Sequence, residues 1–182
     1  MKKGYNSPFL KAVRYFVDSP YDEIYLREFG RKVGISPNSA QRFLNLLLNE
    51  GFIVESKRGN LRYFKANIDS VSFRQLKILF SLRTIENSGM FGYLKGKNVS
   101  SFILFGSVAK GLDSRESDID VVCLGPEKNI DLHVFEKKLD RELQIHLFTW
   151  AEWKKQAKQN RAFYLDVIKD GIPLIGEKPF VD

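Results

Sequence analysis

Asp118 and Asp120 stand two residues apart in Ser117-Asp118-Ile119-Asp120, at the head of the strand-like run Val121-Val122-Cys123-Leu124. On a strand, side chains two apart share a face, and their alpha carbons lie roughly 6.6 Å from one another. Two carboxylates held that way in a poorly solvated cleft repel each other unless a proton or a cation lies between them. Magnesium suits such a pair, because it takes few protein oxygens and leaves positions for water and phosphate. A second constellation precedes the acids. The apolar run Val99–Phe105 ends in Gly106-Ser107, followed by Val108-Ala109-Lys110-Gly111. Glycine lets the backbone approach a phosphate, and Ser107 sits where the N–H groups of a helix start face an anion. Lys110 adds positive charge nearby, or is a surface cation.

These parts fall in the order strand, Gly-Ser turn, short helix, loop, strand, and each has a use if the ligand is a nucleoside triphosphate. The string Gly106-Ser107-x-x-x-Gly111-x-x-x-x-x-Ser117-Asp118-Ile119-Asp120 resembles the signature of the DNA polymerase beta-like nucleotidyltransferases, specifically their small minimal members. The resemblance implies an α/β nucleotidyltransferase fold with a mixed sheet over residues 99–182. It implies that Gly106, Ser107, Lys110 and Ser117 meet the NTP. Asp118 and Asp120 would be the catalytic pair holding Mg2+, and a nucleoside monophosphate would pass to an acceptor. The segment Asp166–Gly176 resembles the helix-turn-strand ending of such proteins.

One departure qualifies the chemistry. Active members of that family carry a third carboxylate on a later strand, here Leu143-Gln144-Ile145-His146-Leu147-Phe148-Thr149, and Gln144 stands at its place. Neutral Gln can offer an oxygen to a metal but cannot serve as a base. Glu142 and His146 share its face by alternation, and either can substitute in part. Two readings follow: a metal-dependent transferase, or a degenerate domain kept as a nucleotide sensor or assembly surface beside a DNA-binding regulator.

Upstream, Ser7-Pro8 opens a helix with Phe9, Leu10, Val13, Phe16 and Val17 at helical spacing. A short extended piece, Glu23–Leu26, leads into a helix from Arg27 to Val33. Gly34-Ile35-Ser36 is a tight turn, and Ser36-Pro37 caps a third helix running to Asn49. Two strands, 52–56 and 61–65, follow, joined by Lys57-Arg58-Gly59-Asn60 as a hairpin with a basic tip. Helix, strand, helix, turn, helix, hairpin resembles the winged helix-turn-helix family over residues 7–67. The resemblance implies that Pro37, Asn38, Ser39, Gln41 and Arg42 face bases, with Lys57 and Arg58 on phosphates. Winged helices also serve as protein-protein modules, and the charge distribution favours DNA. Residues 1–70 hold 12 Lys and Arg against 7 Asp and Glu, whereas residues 71–182 hold 17 against 15.

The domain plan is therefore a winged helix over 1–67, a connector helix and linker over 68–98, and the nucleotidyltransferase-fold domain over 99–182, an α+β chain overall. Hydrophobic residues make up 43%, and 15 Phe, 7 Tyr and 2 Trp are enough large side chains for two cores. No apolar run approaches the ~18–20 residues that span a bilayer, so no membrane partner is expected. Lys11 and Arg14 interrupt any signal-peptide core after the basic start Met1–Asn6. The lone Cys123 excludes an intramolecular disulfide and fits a reducing compartment, the cytoplasm. A homodimer on palindromic DNA and a separate helical protein partner are further expectations. Trp150 to Lys158 reads as an amphipathic helix with a solvated basic face.

Overall fold

The computed structural model describes residues 7–125 and 130–181. The basic start Met1–Asn6 lies outside them. Two compact units are present, residues 1–80 and residues 81–182. The division falls inside one helix in sequence, α4 (Val71–Asn87).

The first unit contains α1 (Pro8–Asp18), β1 (Ile24–Tyr25), α2 (Leu26–Val33), α3 (Pro37–Asn49), β2 (Ile53–Arg58) and β3 (Leu61–Ala66). The strands form an antiparallel sheet in the order β1-β3-β2. Proline occupies the first turn of α1 and of α3, where its missing N–H costs nothing. Ser36 caps α3 by accepting from the Ser39 N–H at 3.2 Å. Ser7 makes no such side-chain cap on α1, contrary to expectation, so Pro8 carries that helix start. Gly34 ends α2 at φ +72°, a left-handed conformation that glycine adopts without steric cost. Gly30 lets the turn pack closely: a methyl there would sit 3.3 Å from the Ile35 carbonyl. Phe16, Ile24, Phe29, Leu44, Leu47 and Phe64 are buried together with Phe73 and Phe80 from α4.

The hairpin corrects one expectation. Arg58 pairs with Leu61, so the tip is the two residues Gly59-Asn60, and Lys57 and Arg58 belong to β2. Gly59 takes φ +58°, which a two-residue hairpin turn requires at its first position.

The second unit contains α5 (Met90–Lys95), β4 (Ser101–Phe105), α6 (Gly106–Lys110), β5 (Ile119–Leu124), α7 (His133–Leu139), β6 (Leu143–Phe148), α8 (Trp150–Gln159), α9 (Arg161–Asp170) and β7 (Ile172–Ile175). Its sheet runs β6-β5-β4-β7, with β5 and β6 parallel and the other pairs antiparallel. This mixed sheet carries helices on both faces, which explains why β4 is buried at every position. One face packs Phe102, Leu104, Val121 and Cys123 against Met90, Leu94, Phe135 and Leu139. The other packs Ile103, Phe105, Val122 and Leu124 against Trp153, Tyr164, Val167 and Ile168. Trp153 is fully buried and donates from Nε1 to the Pro179 carbonyl at 2.7 Å, so it is a core residue. Burial pushes the Cys123 thiol up to about 11, leaving it an inert core side chain. No helix among the described residues is long and apolar enough to cross a membrane.

Candidate active site

The site is assembled by strand pairing. β4 ends at Phe105, which sits opposite Asp120 on β5, and Asp120 in turn lies beside Gln144 on β6. Gly106 therefore emerges next to the Asp120 carboxylate. It has φ +70°, and a Cβ built there would overlap Asp120 Oδ2 and lie 3.0 Å from its Cγ. Glycine at 106 is required twice over, by the backbone and by the acid that occupies the space of its missing side chain. Asp118 corrects an expectation of detail: β5 begins at Ile119, so the first acid stands on the loop just before the strand. Gln144 Nε2 donates to Asp118 Oδ2 across 3.4 Å. Both acids are half-buried.

Burial, and next the charge of Asp118, hold the Asp120 carboxyl above its ordinary range. His146 and Arg141 pull the other way, while Asp166 adds to the rise. The His146 ring packs 5.6 Å from Phe105 and 5.1 Å from Phe163, centroid to centroid. Among the described residues, no three His, Cys, Asp or Glu side chains form a cluster able to hold a metal by themselves. The donor set nevertheless fits magnesium, which binds through one or two carboxylates and takes its other ligands from water and phosphate.

The remaining predicted residues have definite partners. Ser107 accepts, through its carbonyl, from the Leu112 N–H at 3.0 Å, closing α6. Lys110 Nζ lies 2.5 Å from Asp166 Oδ1 and 3.3 Å from Asp170 Oδ2, tying α6 to α9. The Asp166 hydrogen bond, the largest influence, holds the Lys110 ammonium above its usual range. Ser117 Oγ accepts from the Ser114 N–H at 2.9 Å and so shapes the loop before Asp118.

Arg141 and its partner Asp113 have no local signature. Arg141, in the turn before β6, reaches back to Asp113 Oδ2 at 2.9 Å and to the carbonyls of Ser117 and Asp118 at 2.6 and 3.2 Å. Nothing local in the sequence marks Arg141, because its contacts span more than twenty positions.

In the first unit, Pro37, Asn38, Gln41 and Arg42 are exposed on the leading half of α3, and Ser39 is half-buried. A groove of about 540 Å³, lined in part by Tyr25, Arg27, Arg31 and Pro37, runs beside that helix start. Lys57 is exposed, while Arg58 is ion-paired to Glu23 and lies over the Tyr63 ring.

No match was found among curated proteins. A solved structure described as "Crystal structure of the toxin-antitoxin with AMP-PNP" is 22% identical, covering 51% of this chain and 74% of its own, with a TM-score of 0.36. Residues 89–170 match the model of the nucleotidyltransferase domain, so the segment carrying the Gly-Ser turn and both aspartates is similar to that family.

Proposed function

We propose that the second unit is a nucleotidyltransferase that moves a nucleoside monophosphate from an NTP to a hydroxyl acceptor: the acceptor oxygen bonds the α-phosphorus and loses its proton to solvent, and the α–β phosphoanhydride bond breaks to release pyrophosphate. The observation that carries this reading is the insertion of the Asp120 carboxylate into the space left by Gly106, beside Asp118. It brings phosphate-binding backbone and cation-binding oxygens to one spot. In this reading Asp118 and Asp120 hold a divalent cation, and the chemistry supplied by that ion is polarisation of the α-phosphate. Gly106 and Ser107 bind and orient the triphosphate through the open start of the turn. Lys110 steadies that turn through Asp166 and Asp170, and Ser117 shapes the loop that carries Asp118.

The first unit, in the same proposal, is a winged helix that binds DNA. Its order of elements supports this, as do the exposed Asn38, Gln41 and Arg42 on α3 and Lys57 on the hairpin. The Arg58 ion pair with Glu23 uses Nη2 of a side chain that is 63% exposed, so other guanidinium N–H groups can meet phosphate.

A second reading has one specific observation in its favour. Gln144 stands beside Asp120 in the register, so the strand position nearest the pair offers an amide where a base would serve. A domain of that kind binds nucleotide without transferring it and makes the protein a nucleotide-responsive DNA-binding regulator.

Incubation with each α-labelled NTP, Mg2+ and a panel of protein, tRNA and small hydroxyl acceptors separates the readings. The transferase predicts covalent label that is lost in Asp118→Asn and Asp120→Asn. Nucleotide binding without label, together with DNA retardation lost on replacing Arg42, supports the regulator.

A further inference from the structure

Arg141 is an arginine almost withdrawn from water, its side chain 13% exposed, beside an Asp113 side chain that is 5% exposed. The chain reaches it through Asp140, held at φ +56° where α7 ends. From there the guanidinium uses three nitrogens on three acceptors. Nη1 donates to Asp113 Oδ2 at one end of the loop, while Nε and Nη2 donate to the carbonyls of Ser117 and Asp118 at the other. The planar fork of arginine can span these acceptors, whereas the single ammonium of lysine cannot. Asp118 precedes the first residue of β5, so the strand ladder does not fix it. Arg115–Asp140, an ion pair of this loop among the described residues, is 72% and 70% exposed and contributes little order.

We infer that Arg141 is a positioning residue: it anchors the peptide carbonyls of Ser117 and Asp118 so that the two aspartates address one divalent cation. The inference rests on the cation-site reading above and extends it to a residue outside the Gly-Ser and Asp motifs. Removing a partner that orients metal ligands typically weakens metal binding without removing a ligand.

The test uses the full chain and Mn2+ alone as probe, with binding read by electron paramagnetic resonance and loop order by amide hydrogen exchange over residues 113–119. Wild type is expected to bind Mn2+ and Asp120→Asn to lose it. Arg141→Lys is expected to bind about tenfold more weakly and to exchange faster across the loop. Asp113→Asn keeps the arginine but removes its ionic anchor, and is expected to move both readouts the same way should Arg141→Lys fail to fold. Arg115→Ala, in the same loop, is expected to leave Mn2+ affinity unchanged. A loosened loop with unchanged Mn2+ affinity would overturn the positioning role and leave Arg141 purely structural. Absence of Mn2+ binding by the wild type would overturn the cation-site reading, and the positioning role with it.

Discussion

Alanine at position 106 is expected to lower nucleotidyl transfer by about a hundredfold, the scale set by misplacing a reacting group by an ångström. Two costs fall on one substitution. The backbone sits at φ +70°, where an L side chain pays roughly 1–2 kcal/mol. The new methyl also takes the place of the Asp120 carboxylate, which must rotate because its backbone is pinned opposite Phe105. Gly34→Ala separates these costs. It has a similar φ of +72° with no neighbour within 4 Å of the added methyl. That variant should lose stability and keep transfer, whereas Gly106→Ala should lose both. Transfer retained by Gly106→Ala would mean that the Asp120 position is not critical.

Breaking the buried pair beneath the loop should have the largest effect on stability. Arg141→Met is expected to destabilise the second unit by about 3–5 kcal/mol, because it removes the ion pair of a carboxylate that is only 5% exposed. The Asp113→Leu/Arg141→Met double variant should recover the part of that loss that comes from the unpaired carboxylate, and not the part that comes from the Ser117 and Asp118 carbonyls losing their donor. Urea unfolding of the two single variants and the double variant gives the coupling directly. Near-additive losses would show that the two side chains do not depend on each other.

Much of this architecture was legible because its signals are local. Ser36-Pro37, Gly34 and the apolar spacing of α1 and α3 mark helix ends and faces within a few residues. The run 101–105 followed by Gly-Ser announces a strand feeding a helix. What could not be read depends on contacts distant in sequence. Three glycines at 89, 92 and 96 hide α5, which is held by the buried Met90 and Leu94. Lys110 sits close to the Gly-Ser turn in sequence, yet its ion-pair partners lie on α9, 56 and 60 residues on. In sequence Gly106 suggests access for a phosphate, whereas in the fold an acid 14 positions later fills the space of its missing side chain. Arg141 was invisible because one charged residue among others shows nothing of its reach.

The claim beneath all of this is that two half-buried aspartates address one divalent cation. The Asp120 carboxyl is raised by burial and by Asp118, so it binds its proton more tightly in the folded chain than in the unfolded one. Its contribution to stability is thus favourable below the ordinary carboxylate range and is lost as pH rises through the raised value. Thermal unfolding of wild type and Asp120→Asn, at neutral and at acid pH, with and without Mn2+, tests this most directly. Without the ion at neutral pH, Asp120→Asn should melt a few degrees higher, and that advantage should fade on acidification. Saturating Mn2+ should stabilise wild type, by about 2.7 kcal/mol at a hundred times its dissociation constant, and leave Asp120→Asn unmoved. Equal melting of both proteins under every condition would contradict the account.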